Sequence, residues 1–145
     1  MQQHYPGDTA TAEEVLRLAE EYQKAARVLI QQGRPGAPLT WAPCRWSAIH
    51  AIELFLGALL LHEGYAASEI RGMQHDLAER VERAKHSGLQ LRRSTEEHIY
   101  AMVGNREYLV TRYGPEMTSP VSPINRLTAT LNEVAKKVTL MIRSE

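Results

Sequence analysis

Arg45 to Gly64, RWSAIHAIELFLGALLLHEG, is the stretch that most limits what this chain can fold into. At ~100° per residue, Ile49, Ile52, Leu56, Leu59 and Leu60 form one apolar face. Leu54, Gly57, Ala58 and Leu61 lie on the opposite side, and only His50 and Glu53 interrupt the hydrocarbon. A helix apolar nearly all round belongs in the middle of a bundle or across a contact between subunits, which predicts a homodimer. Its length and Glu53 argue against a membrane span.

Around this centre the pattern predicts a single all-α domain over residues 1–145, an antiparallel up-and-down bundle of four to five helices. No stretch alternates convincingly as a strand. The first helix opens after Gly7, with Thr11 and Glu14 in capping-box spacing. It carries a stripe of Val15, Leu18, Ala19, Tyr22, Ala26, Leu29 and Ile30, and ends at Gly33 and Pro35. Residues 33–43 form a Pro- and Gly-rich loop whose Trp41 is expected to fold over one end of the bundle, or to offer a contact site. Ser68 offers a new cap for a short turn, and the third helix starts near His75 or Asp76. Leu77, Val81 and Ala84 form its inner edge and Gly88 closes it. Ser94 and Glu97 give a second capping-box spacing, predicting one helix that runs to Tyr113. After the loop 115–123, Ser122 is the expected cap and Pro123 the first residue of the last helix. There Ile124, Leu127, Leu131, Val134, Val138 and Met141 form a seam close to a heptad register.

Lys and Arg number 17 and Asp and Glu 17, so no global field draws the chain to nucleic acid or a membrane. Locally, Asp8–Glu21 holds five acids against Arg17, and Arg80–Arg93 holds five bases against Glu82. Both are solvated helix faces in the simplest reading, the second a phosphate-contacting patch in the sharper one. Cys44 is the single cysteine, which excludes an intrachain disulfide and suits a reducing compartment. MQQHYPGD lacks the positive start and apolar core of a signal peptide, so the expected location is cytoplasmic.

Arg106 is the residue out of place. Ile99, Met102, Val103, Leu109, Val110 and Tyr113 share an arc of the predicted fourth helix, and Arg106 falls within it. A guanidinium there needs an acid, carbonyls or an anionic ligand. Glu53 and Asp76 are the candidate acids, and an internal Arg–Glu pair fixing helix register stands against a phosphate-binding arginine in a cleft. His50 and Glu53 share a helix face one turn apart, as a buried hydrogen bond or the beginning of a metal site. In His75-Asp76 the acid suits a helix cap. Cys44 beside Arg45, near a helix start, has a setting that can lower a thiol pKa. No HExxH, Cys/His metal spacing, paired ExxH or Gly-rich phosphate loop occurs, so no metal or other cofactor is expected.

Three blocks of the sequence resemble the HEPN superfamily of nucleotide-binding helical domains. They are AIHAIELFLGALLLHEG (Ala48–Gly64), His75-Asp76-Leu77 followed by Ala84 and Gly88-Leu89, and Arg106-EYLVTR-Tyr113. The resemblance implies an antiparallel helical bundle, usually dimeric. The ribonucleases of that superfamily carry Arg, four to six residues, then His, often with a nearby Tyr. Arg106 and Tyr113 match, but the histidine position is Thr111, whose hydroxyl does not titrate near neutral pH. Gly57 departs too, standing where relatives often carry Lys. The ending Thr111–Gly114 is more similar to relatives encoded beside nucleotidyltransferases.

The expected function is therefore a non-catalytic, HEPN-like homodimer. It would bind a nucleotide, RNA or a nucleotidyltransferase-like partner through a groove containing Arg106, Tyr113, His75, Asp76, Glu53 and His50. The alternatives are a ribonuclease toxin using His98 or His75 as a displaced base, and a purely structural interaction bundle.

Overall fold

In the computed structural model, residues 5–118 and 121–144 are described, and among them there are seven α-helices and no strand. They are α1 (Ala12–Leu29), α2 (Ala42–His62), α3 (Ala67–Gly72), α4 (Leu77–His86), α5 (Arg93–Gly104), α6 (Glu107–Tyr113) and α7 (Ile124–Arg143). The all-α class is as the sequence predicts, and the count exceeds the expected four to five for two reasons. The turn expected after Gly64 is the short helix α3, and the single helix expected from Ser94 to Tyr113 is broken into α5 and α6.

α2 is the core. Ala51, Ile52, Phe55, Leu56, Ala58, Leu59 and Leu60 are fully buried, because α1, α7, α4 and α6 all pack against it. Most of its apolar circumference is thus buried within one chain, with Leu54 and Leu61 left half-buried, which weakens that ground for expecting a second copy. At 21 residues it is also long and apolar enough to cross a membrane, contrary to the sequence expectation, although most of it is buried here by the other helices.

α1 begins with the predicted capping box. Glu14 N–H donates to Thr11 Oγ1 (3.1 Å) and Thr11 N–H to Glu14 Oε1 (2.9 Å). Its inward face is Leu16, Ala19 and Ala26, while Leu18 of the predicted stripe is 48% exposed. After a 3-10 turn, Gly33 lies flat beneath Trp41, where a Cβ would come within 2.2 Å of the indole. The indole N–H donates to Arg34 O (3.1 Å), so the Pro-rich loop is closed on itself, with Leu39 exposed and Trp41 half-buried.

Three predicted caps are absent. Ser68 does not cap α3, because that helix starts two residues earlier with Ala66 at its N-cap and Ser68 lies inside it. Ser94 does not cap α5; Glu133 of α7 reaches across and accepts from Arg92 N–H (2.7 Å) and from the Thr95 hydroxyl. Ser122 does not cap α7, whose N-cap is Pro123, because its hydroxyl is spent elsewhere. The seam of α7 is as predicted, with Leu127, Leu131, Val134 and Val138 buried. Of the 115–123 loop, Ser119 and Pro120 lie outside the described residues, as do residues 1–4 of the N-terminal stretch.

Candidate functional site

Arg106 is exposed, not buried. α5 stops at Gly104, and Arg106 takes a left-handed conformation (φ 51°) between the helices, a geometry that glycine usually supplies at a helix end. This break resets the helical phase by one residue. Glu107 therefore turns inward, 1% exposed, and Arg106 turns to solvent. Neither expected acid reaches Arg106: Glu53 bonds His75, and Asp76 accepts from Glu79 N–H (3.1 Å). Among the described residues Arg106 makes no ion pair.

A buried carboxylate needs donors or a cation. Glu107 has donors: the Ser122 amide, and the Ser122 hydroxyl at 2.7 and 2.8 Å from its two oxygens. That fixes the neighbouring histidine. Ser122 Oγ has one proton, given to Glu107, so His98 Nε2–H must donate to Ser122 Oγ (2.7 Å). His98 Nδ1 is then bare and accepts from Thr130 Oγ1–H (2.6 Å). Burial, with the Arg126 charge adding to it, pushes the imidazole down to about 4, so it is neutral in the folded protein. Thr130, His98, Ser122 and Glu107 form one directed chain of hydrogen bonds. Arg45 completes it by donating to Ser122 O, and the Glu107 charge partly offsets the burial that disfavours its guanidinium.

Above this chain opens the principal cleft, about 630 Å³. One wall is the 36–43 loop with Leu39 and Trp41; the other is the end of α6 with Pro115, Thr118 and Val121. Arg45 lies at the start of α2, and Thr111 and Arg112 line the α6 side. Thr111, the position where the resemblance would require histidine, donates its hydroxyl to Glu107 O (2.9 Å). No acid, histidine or cysteine is among the described lining residues, so the cleft offers cations and apolar surface but no titrating base.

The remaining predicted residues gather elsewhere. Glu53 and His75 meet at 2.8 Å through Nδ1, and the His75 ring tilts over Tyr108 with centroids 5.0 Å apart. His50 does not pair with Glu53; it stacks on Trp46 (5.1 Å) against the edge of Tyr22 (4.5 Å), and burial lowers its pKa. Asp76 caps α4 as expected. Tyr113 is 71% exposed beside Arg112. No group of three or more His, Cys, Asp or Glu able to hold a metal exists among the described residues. Cys44 is buried, and burial raises its thiol pKa more than Arg45 lowers it, so its chemistry is the reverse of that expected.

The basic stretch is partly paired, with Arg92 and Arg93 exposed. Arg80 is buried, while Arg83 pairs with Glu79 (3.1 Å), Lys85 with Glu96 (2.9 Å) and Arg93 with Glu97 (2.9 Å). Sequence reasoning missed Arg45, which was hidden inside the core-helix pattern, and Glu107 and Ser122. A Gly-Asn pair at 104–105 was the one local signal that the helix stops before Arg106. Comparison with protein-family models, with characterised proteins and with solved structures finds no match to this chain.

Proposed function

We propose that this chain is a HEPN-like, non-catalytic binding protein that holds a nucleotide, or a short run of single-stranded RNA, in the cleft over the start of α2. The observation that carries the proposal is the composition of that cleft. Its apolar walls include Trp41, on which a base can stack, and Arg45 and Arg112 supply guanidinium groups for phosphate. The amino end of α2 adds a favourable dipole. The absence of an acid or imidazole among the lining residues argues for binding over cleavage.

The test is a fluorescence titration with AMP and a short RNA oligonucleotide, in a Trp46→Phe background so that Trp41 reports alone. Saturable quenching is expected, weakened about tenfold by Arg112→Ala, the loss of one charge-assisted contact. Arg112 is exposed and, among the described residues, donates to Tyr108 O (3.0 Å) and lies beside the exposed Tyr113 ring, so its removal leaves the core alone. No quenching by either probe from a folded protein would sink the proposal and leave a structural module. The homodimer becomes a proposal on new ground: Leu39, Tyr113 and Met117 stand exposed at or beside the cleft rim as a surface for a second copy. Light scattering that gives a monomer at micromolar concentration removes that part.

One observation favours a second reading, a ribonuclease with His75 as base. Glu53 holds His75 Nδ1 at 2.8 Å while the imidazole stays 44% exposed, an arrangement that orients a proton acceptor. His98 is the poorer candidate, since both its ring nitrogens are already bonded. RNA cleavage lost in His75→Ala would establish this second reading; RNA left intact by the purified protein disposes of it.

A further inference from the structure

A second guanidinium is more deeply placed than any in the cleft. Arg80, 6% exposed, projects from α4 toward α2 and meets three backbone carbonyls there. Nη2 donates to Gln74 O (2.9 Å) and Ile70 O (3.3 Å), and Nη1 only to Glu53 O at 3.4 Å. Nε has no partner, and no carboxylate among the described residues lies within ion-pair distance of the group. Glu53, the nearest acid, gives its side chain to His75. The guanidinium fits because residue 57 is glycine: a Cβ there would lie 3.0 Å from Nη1.

Beside Gly57 and Arg80 the structure holds a pocket of about 170 Å³, some 12 residues along α2 from Arg45, or ~18 Å at the helical rise. Val15, Leu54, Leu61 and Ile70 make it largely apolar, Tyr5 to Asp8 line another side, and Glu53, whose carboxylate is bonded to His75, is the second acid in the lining besides Asp8. Arg71 stands at the rim, its guanidinium 4.3 Å from the centre of the Tyr5 ring and paired with the Asp8 carboxylate. A carboxylate from the chain itself therefore already occupies one of the pocket's two cations.

We propose that this pocket binds a small organic carboxylate with a short apolar tail. The carboxylate bridges Arg71 and the under-used Nη1 of Arg80, the tail lies against Leu54, Leu61 and Ile70, and Asp8 is the internal group it displaces. A buried guanidinium satisfied only by carbonyls retains a net positive charge that an anion neutralises. The hydrocarbon walls select a carboxylate with a tail over an inorganic oxyanion. The site is independent of the cleft and of the nucleotide proposal.

The test is calorimetric titration of the full chain with isobutyrate, and with inorganic phosphate, at constant ionic strength. Saturable isobutyrate binding is expected, with phosphate at least tenfold weaker. Asp8→Asn removes the competitor and should tighten isobutyrate binding by several-fold, whereas Arg71→Gln should weaken it by about tenfold. Both changes are at the surface and leave the core intact. Gly57→Ala should abolish binding with the helical circular dichroism unchanged. No saturable binding to wild type or Asp8→Asn, equal affinity in those two, or phosphate binding as tightly as isobutyrate would each overturn the proposal.

Discussion

Among the described residues two charged side chains of opposite sign are buried, and the molecule treats them differently. Glu107 sits under the cleft with its oxygens taken by one serine, which in turn is held by His98 and Arg45, so every member of the set has a role. Arg80 sits at the α3–α4 corner among backbone carbonyls, with Nε unpaired and an open pocket alongside. The acid is structural cement between a short helix and a loop. The base organises a turn, including Gln74 at φ 50°, and keeps donor capacity in reserve. Burial alone does not distinguish a stabilising charge from a binding one; the number of unspent donors does.

The comparison is most severely tested at Glu107. Glu107→Ala leaves the Ser122 amide buried without an acceptor and should cost about 4 kcal/mol in chemical denaturation. A loss near zero would mean that the hydrogen-bond chain is incidental. A second test uses pH. Folded His98 stays neutral down to about pH 4, while the unfolded imidazole takes its proton at its ordinary 6.5. Between those values the unfolded chain binds the extra proton, so stability is full above 6.5 and falls with pH by about 1.4 kcal/mol per unit. His98→Gln should flatten much of that slope between pH 5 and 6.5, although His50, also lowered by burial, retains a share of the same sign. The smallest effect is expected at Arg80. Arg80→Met exposes no new buried charge and forfeits only carbonyl contacts, costing about 2 kcal/mol in the same denaturation. Should Arg80→Met prove costlier than Glu107→Ala, the roles assigned to the two charges are reversed.

What could be read from the sequence was local and periodic. The Thr11–Glu14 box, the Asp76 cap, the seam of α7 and the uniform hydrophobicity of α2 all depend on residues within one or two turns of each other. The candidate site was not of that kind. A buried arginine was anticipated at residue 106; the left-handed turn there exposes Arg106 and buries the acid Glu107 in its place. A continuous 3.6-residue count cannot register such a slip, because one non-helical residue shifts every later side chain by ~100°. Ser122 was read as a cap because it precedes Pro123; a partner 15 residues away on a different helix claimed its hydroxyl instead. The cleft joins loops near residues 40 and 115, a juxtaposition that only the packing of the whole bundle creates.

Ser122 fixes one foot of the loop that follows α6, and Gly114, buried against Val110 with no room to spare, fixes the other. A loop segment between two such anchored ends can vary in composition or length at little cost to the helices it joins. The bundle thus has the layout of a rigid frame carrying an exchangeable panel. Grafting a different segment between the two anchors would be a direct way to retarget what the cleft accepts.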